Sequence, residues 1–451
     1  MSDTTHASEV LARFATGLRL SDIPAEVRQR ALQCLADAVG CGMQGAAFEW
    51  SQAFARQVIR QGSQGPCELW GHPGVRLSAT QAAMANGASV HAFEWDSLRF
   101  PGAGVHPGAA LVPPLVAVCQ ETGASSEAAL VALVAGCEIL FRLGQASRHS
   151  SEKLGFHAPG LTGVYGSAVV AGLLYGLNAT QLQHAMAIAG SMSAGLLAFS
   201  KASQGTAVKR MHMGRACEAG VVAAQLALEG MTGPETILEG RFGFLQTYCR
   251  EADAAALTQG LGHDWQTLRV CLKRYPCHVT AQAAMQALCE WRALHPDAVP
   301  LLTHIELECA DKVVSHHDIR SPGDIMQAQY SVPFCLALAL HHDPLDPAVW
   351  CDAVLADARV RESCNALILR AASDLPHGWA ARIHLHARDG RAWHLEALRF
   401  NGMPEVPLGM EELQRRFQAQ CACMGDRAAA QCFEQLTQWP GQARFPDLHP
   451  T

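Results

Sequence analysis

Apolar residues recur at helical spacing through most of residues 7–265. Ala7 to Leu18 carries one such rhythm. Ala25, Val27, Ala31, Leu32, Leu35 and Val39 fall largely on one face, which predicts a helix running to about Met43, with Ser21 and Asp22 as caps and Pro24 in its first turn. The same spacing predicts helices over 50–60, 80–90, 109–119, 125–143, 164–175, 178–194 and 207–229, the one at Asn178 opened by a capping-box-like N-x-x-Q with Gln181. Residues 80–90 are small and apolar (Ala82, Ala83, Ala85, Gly87, Ala88), which lets helices approach closely at the centre of a bundle. Loops are expected at 144–163 and 200–206, and a short strand or turn at 67–70.

The period changes near Trp265. Thr267 to Leu272, His304 to Cys309 and Ala381 to Ala387 read as strands, and Asp389-Gly390 is a hairpin signal before 392–398. Residues 280–294 and 332–341 read as helices, and 409–438 returns to helix. The expected fold is therefore mainly α: a large all-helical domain over 1–265, a smaller α+β lid domain over 266–400, and a closing segment over 401–451 that rejoins the helical domain.

Composition narrows the function classes. The 451 residues are 49% hydrophobic and only 17% charged, so much of the chain belongs in cores or subunit interfaces. A net charge of -7 with no basic stripe argues against nucleic acid and anionic membrane surfaces. The most apolar stretch, Ala128 to Phe141, contains Glu138 and is too short to span a bilayer. Met1 to Glu9 is polar and lacks the pattern of a signal peptide, so a cytoplasmic, soluble protein is expected. The 17 cysteines are scattered, mostly in apolar helical patterns, and Cys421 and Cys423 have no second pair at zinc-site spacing, so free thiols are expected.

Candidate chemistry gathers in Ser89 to Ala110, SVHAFEWDSLRFPGAGVHPGAA. Glu94 and Asp96 sit beside His91 and His106, with a glycine- and proline-rich loop between the acids and His106. His106, in V-H-P-G-A, can open a helix whose N-terminus favours an anion; a capping role is the competing reading. His157, in G-F-H-A-P-G, has the same kind of setting. Lys209 is one of five lysines, with His212 three residues on and on the same helical face. Among Ala207, Val208, Met211 and Met213 it suits a buried carboxylate partner, although a solvated helix face is the alternative. His278 follows Arg274, Tyr275 and Pro276 at the entry to the second region. Ser315-His316-His317-Asp318 reads as a solvated polar loop, and no metal cluster, nucleophile elbow, phosphate loop or dinucleotide fingerprint is present. Such a set supports proton abstraction next to a carboxylate, with cations holding the anionic groups of the substrate.

Several long motifs, in order, resemble the MmgE/PrpD family: A-N-G-A-S-V-H-A-F-E-W-D (85–96) and the V-H-P-G after it, G-F-H-A-P-G-L-T-G-V-Y-G-S (155–167), A-V-K-R-M-H-M-G-R-A (207–216), K-R-Y-P-C-H (273–278) and A-Q-Y-S-V-P-F (328–334). That family includes 2-methylcitrate dehydratase, cis-aconitate decarboxylase and iminodisuccinate epimerase. The resemblance implies a homodimer of a helical domain and a smaller α+β lid, with the active site in the cleft between them, and neither metal nor organic cofactor. Its site residues fall on Glu94 or Asp96, His106, His157, Lys209 and His278. The family's typical D-F-D-D reads E-W-D-S here, so Glu94 and Ser97 replace aspartates, and Phe334 replaces a frequent tyrosine, so a possible hydroxyl donor is missing.

The leading expectation is a cofactor-independent lyase, a dehydratase or decarboxylase, acting on a small di- or tricarboxylate. His106 and His157 would exchange protons, Glu94 and Asp96 would orient or help protonate a histidine, and Lys209, His278 and His212 would bind substrate. An epimerase of a small dicarboxylate such as an N-substituted aspartate is the alternative in the same site. A carboxylate-binding protein without turnover and a metal hydrolase are the remaining readings.

Overall fold

The computed structural model describes residues 6–102, 104–202, 205–438 and 443–448. Residues 1–5 of the polar N-terminus, 203–204 of the expected polar loop, and 439–442 and 449–451 of the closing segment lie outside the described residues.

The helical spacing of the first half becomes α1 (Ala7–Gly17), α2 (Ala25–Gly45), α3 (Glu49–Gln61), α4 (Ala79–Val90), α5 (Pro107–Thr122), α6 (Ser126–Ala146), α7 (Ala158–Leu174), α8 (Ala179–Gly190), α9 (Val208–Leu228) and the short α10 (Phe244–Tyr248). Their ends correct three expectations. Pro24 is the residue that precedes α2, while Ser21 and Asp22 form a separate turn in which Asp22 accepts the Arg19 N–H at 2.9 Å. Helix α7 starts at Ala158 rather than Val164, since Pro159 has no N–H to satisfy and fits a first turn. Helix α8 stops at Gly190 instead of Ala194, although its Asn178–Gln181 capping box forms as read.

Helices α4, α5, α7 and α9 pack on one another at the centre. The small residues make this possible. A Cβ on Gly220 of α9 would stand 2.2 Å from the Ser167 Cβ of α7, and one on Gly214 would stand 2.5 Å from the Met84 carbonyl oxygen of α4. At such crossings, backbones meet where other helices have side chains.

The first region also holds a two-stranded ribbon, β1 (Cys67–Glu68) with β2 (Arg76–Leu77). The strand expected over 267–272 shortens to β4 (Val270–Cys271), preceded by a 3-10 turn, and pairs with β3 (Leu98–Arg99). That pair joins the Glu94–Asp96 loop to the start of the second region.

The second region is built on a four-stranded sheet, β5 (Leu302–Cys309), β6 (Leu367–Ala371), β7 (Ala381–Ala387) and β8 (Ala392–Ala397), in the order β6-β5-β7-β8. The hairpin expected at Asp389-Gly390 pairs β7 with β8, with Ile383 opposite Leu395. Strand β6 is an addition to the expected set. It runs parallel to β5 and follows α12 (Asp311–His316), α13 (Ile325–Ala328), α14 (Val332–His341), α15 (Asp352–Leu355) and α16 (Ala358–Ala366). Helix α11 (Gln282–Leu294) packs on β7 and β8. The last segment forms two helices rather than one, α17 (Met410–Gln420) and α18 (Asp426–Thr437), broken at Gly425, whose φ of 81° favours glycine. Both pack against α2.

Candidate active site

The loop after α4 is the centre of the site. Its backbone is held from four directions. The carbonyls of Ala92, Phe93, Glu94 and Trp95 accept, in turn, from Arg210 Nε at 3.3 Å, Gln329 Nε2 at 2.8 Å, Lys273 Nζ at 2.7 Å and Arg416 Nη2 at 3.0 Å. These donors come from α9, the turn after α13, the segment after β4, and α17. Glu94 has a φ of 56°, a left-handed conformation uncommon for a residue with a side chain and one that surrounding contacts must enforce.

That conformation aims the Glu94 carboxylate between two lysines. Lys209 Nζ donates to Glu94 Oε1, and Lys273 Nζ lies 3.4 Å from Oε2. The Tyr330 hydroxyl donates to the same Oε1 at 2.9 Å and accepts from Lys209 Nζ. Glu94, Lys209 and Lys273 are all buried. Burial works against ionisation of Glu94, but Lys209, Lys273 and Arg210 hold it well below the usual carboxylate range. Burial lowers Lys209, with Glu94 opposing the shift. The hydroxyl of Tyr330 is pushed well up by burial and by Glu94, so it remains a proton donor.

A second group lies beside the first. Asp96 Oδ2 receives both His91 Nδ1 at 2.9 Å and His106 Nδ1 at 2.8 Å. Burial opposes the charge on Asp96, yet the two histidines hold it well below its ordinary value. Burial lowers His91 to about 4, so it is neutral and donates to Asp96. His106 precedes α5 directly and keeps 16% of its side chain exposed, which leaves Nε2 for a reacting group. Ser97, next in the chain, is structural: its Oγ accepts the Gly108 N–H at 3.0 Å and fixes the start of α5.

His157 precedes α7 and His212 lies in the first turns of α9, and their Nδ1 atoms are 3.0 Å apart. Burial and then Lys209 lower both imidazoles, His157 well below its ordinary value. One ring must donate and the other accept, so the pair can pass a proton. The His91 ring lies 6.1 Å from that of His157 and 4.9 Å from that of His106. Phe199 meets the His157 ring edge-on at 5.2 Å.

His278 approaches from the second region. Its ring stacks on His317 at 4.0 Å and lies 5.5 Å from Tyr330, and its Nδ1 is 2.9 Å from Thr280 Oγ1. Burial and the neighbouring His317 hold it well below its ordinary value. The structure thus gathers Glu94, Asp96, His106, His157, Lys209, His212 and His278 around one locus. Two expectations are corrected. His317 is not on a solvated loop but is buried beneath His278 at the end of α12, while Ser315, His316 and Asp318 stay exposed. Phe334 does not remove a hydroxyl from the cluster. It lies on α14 near Trp350, with ring centroids 6.4 Å apart, and lines a separate cavity of about 410 Å³. Tyr330, in the turn before α14, supplies the hydroxyl.

Lys273 and Tyr330 escaped notice as individuals, although both lie inside motifs read from the chain, and the scarcity of lysine was a usable signal for the first. Another cavity of about 620 Å³ lies between α17 and α18. Neither cavity is lined by a histidine or a lysine. Among the described residues, His91, Asp96 and His106 offer ligand atoms within 4.8 Å of one another, the spacing a metal would need. The shared Asp96 oxygen is already taken by two imidazoles, and His91 is completely buried. As arranged, these three form a hydrogen-bonded relay. Among the described residues no helix is long and apolar enough to cross a membrane.

The arrangement offers two lysine cations and a phenol at one end, and two histidine relays at the other. Comparison with known proteins agrees in kind. The chain is 26% identical over 434 residues to human cis-aconitate decarboxylase, covering 92% of this chain and 88% of that protein. It is 26% identical over 437 residues to the mouse cis-aconitate decarboxylase, covering 92% and 87%. With the cis-aconitate decarboxylase of Aspergillus terreus it shares 26% over 355 residues, covering 73% and 71%. Residues 9–256 match the MmgE/PrpD N-terminal domain and residues 275–438 the MmgE/PrpD C-terminal domain, and the chain therefore belongs to the MmgE/PrpD family.

Proposed function

We propose that this protein is a lyase that removes carbon dioxide from a small unsaturated tricarboxylate of the cis-aconitate class. The observation that carries the reading is the opposed pair of sites: Lys209, Lys273 and Tyr330 around Glu94, and the His106–Asp96–His91 and His157–His212 relays beside them. Relatives named as cis-aconitate decarboxylases along most of the chain support the reaction type.

The steps follow from the side chains. Lys209 and Lys273 bind carboxylates that stay on the product and draw off charge as it develops. One carbon–carbon bond breaks, its electron pair enters the conjugated system, and carbon dioxide departs. A histidine proton then completes the new carbon–hydrogen bond, so one proton is consumed for each carbon dioxide released. His106 is the candidate donor, and His157, held neutral by burial, is the candidate relay partner through His212. Asp96 orients His106 through Nδ1 and stabilises its imidazolium. The charge is handled by lysines and imidazoles of the chain itself, which supports a reaction without a cofactor.

A second reading has its own support. His106 and His157 belong to two independent relays, with His91 between their rings, and two such relays could take a proton from one face of an α-carbon and return it to the other. Proton NMR in heavy water, on a panel holding cis-aconitate, 2-methylcitrate, citrate and N-substituted aspartates, separates the possibilities. The expected result is loss of cis-aconitate with a new, deuterated methylene product. A dehydrated, unsaturated product from 2-methylcitrate alone, read from its shifted methyl signal, would establish a dehydratase, and α-deuteration without a new compound an epimerase. Either would overturn the decarboxylase assignment.

The reading includes a homodimer in the cytoplasm. Val208, Met211 and Leu226 are exposed along one face of α9 and support pairing with a second copy. Sedimentation velocity would return twice the chain mass if it forms, and the chain mass if it does not.

A further inference from the structure

We infer that Arg416, held by Asp37, is a positioning residue that sets the spacing of the acidic loop and Lys273 from behind the site. The inference rests on the proposed reaction for its kinetic arm only. Arg416 lies on α17, far along the chain from the motifs that carry the chemistry. Its guanidinium nevertheless reaches the reverse side of the cluster. Nη2 donates to the Trp95 carbonyl at 3.0 Å, and Nη1 donates to the Lys273 carbonyl. The Trp95 peptide is the link between Glu94 and Asp96, the two acids that organise the lysine end and the histidine end. Lys273 is the cation that holds the Glu94 carbonyl and faces its carboxylate. One planar side chain therefore ties together three of the groups on which the reaction depends.

Its own placement is fixed. Asp37, on α2 and fully buried, contacts Nη2 through Oδ1 at 2.6 Å, and the Trp95 ring lies 4.6 Å from the guanidinium carbon. Only arginine can do this. Two carbonyls, one carboxylate and one indole face are met by a flat fork with several donors, whereas an ammonium is a point donor on a flexible stem. The other three carbonyls of the loop are held by residues on the substrate side or in its walls (Arg210, Gln329 and Lys273). Arg416 alone pulls from behind, so its loss would let the Trp95 peptide move toward the lysines.

A bland alternative is that this buried ion pair merely stabilises the fold. The Glu138–Arg142 pair provides the control. It is also buried, with Arg142 Nη2 3.7 Å from Glu138 Oε2 and 2.9 Å from the Asp264 carbonyl, and among the described residues its hydrogen bonds go to Asp264, Gln266 and Thr267 rather than to the cluster. The test compares Arg416→Lys with Arg142→Lys in the full-length protein, using kcat and KM on the substrate identified by NMR, thermal melting, and deuterium exchange of the peptide covering 92–97. For Arg416→Lys we expect kcat to fall on the order of 10- to 100-fold with KM changed by less than about threefold, the signature of misplaced rather than missing groups. Exchange of 92–97 rises in that variant alone, and melting drops no further than for Arg142→Lys. Equal kcat losses in the two variants, or unchanged kcat in Arg416→Lys, would overturn the inference. Should the wild-type protein turn over no carboxylate, the reaction assignment fails separately and the exchange arm decides. Wild-type exchange of 92–97 in Arg416→Lys would then sink the positioning role, and faster exchange would support it.

Discussion

Lys209 and Glu94 stand 115 residues apart in the chain and meet as a buried ion pair with the Tyr330 hydroxyl against both. Neither member has water to fall back on. Replacing Lys209 by methionine leaves a carboxylate in a site that was shaped for two cations. Breaking such a cluster costs roughly 3–5 kcal/mol where it strands a buried charge. Lys209→Met leaves Glu94 paired with Lys273 and should lower the melting temperature modestly, whereas the double variant Lys209→Met/Glu94→Gln strands the buried Lys273 ammonium and should lower it further. Turnover should fall at least ~100-fold in both, since the cation that stabilises developing charge is gone in each. Thermal melts and kcat on the two variants check this; full activity in the double variant would remove Lys209 from the site.

Tyr330→Phe isolates the hydroxyl. The phenol donates to Glu94 Oε1 at 2.9 Å, and the ring keeps its neighbours His278 and His317 whether or not the oxygen is present. The fold should be unaffected. Losing one preorganised donor in a dry site should reduce kcat/KM by roughly 10²–10³-fold. Steady-state kinetics beside a melt will tell: a loss of stability with little loss of rate would make Tyr330 structural.

How far the chain could be read follows from which interactions are local. The helices of the first half were legible because apolar spacing and small residues repeat over many turns, and the hairpin at Asp389-Gly390 because two residues suffice to specify it. Strand β6 was not, since residues 367–371 alternate poorly and are recruited by parallel pairing with β5. In the site, His106, His157 and Lys209 stood out through proline, glycine and the rarity of lysine. Tyr330, His317 and Arg416 did not, because each is brought in by tertiary packing from segments whose local pattern is ordinary. The Phe334 reading has the same origin: the chain breaks at Ser331 between Tyr330, which faces the lysines, and α14, which carries Phe334 away from them, and a motif alone does not show the break.

Gly220→Ala tests whether the α7–α9 crossing sets the site. An added Cβ would lie 2.2 Å from the Ser167 Cβ and 2.6 Å from the Ala168 nitrogen, so the helices must part. Overpacking of this kind costs about 1–3 kcal/mol. It should also cost activity, as His157 leads α7 while Lys209 and His212 ride on α9. Gly17→Ala, at a helical glycine with nothing within 4 Å, is the control and should leave both stability and rate unchanged. Urea midpoints and kcat for the two variants decide; equal behaviour would mean the crossing has slack.

Stability should fall as the protein is acidified from neutral pH, and the sign can be worked out. His91 and His317 titrate at about 4 in the folded chain against 6.5 ordinarily, with burial the main cause in both. Between those values the unfolded chain binds protons that the folded chain refuses, so stability is present above about 6.5 and is lost as pH falls toward 4. Each such histidine contributes a slope of about 1.4 kcal/mol per pH unit in that window. His157 and His278, lowered by burial as well, add to it. Asp37 opposes them. Burial raises it to about 6 from 3.8, so it gains stability as pH falls below 6. Burial raises Glu138 and Glu218 in the same direction, but it also lowers His212 and His341, so the imidazoles outnumber the raised carboxyls and the net slope remains a loss on acidification. Urea unfolding at pH 7.5, 6.0 and 5.0 measures the slope, and His317→Gln should reduce it by about one proton. A stability that is flat or rising between pH 7 and 5 would mean these histidines are not held neutral in the fold.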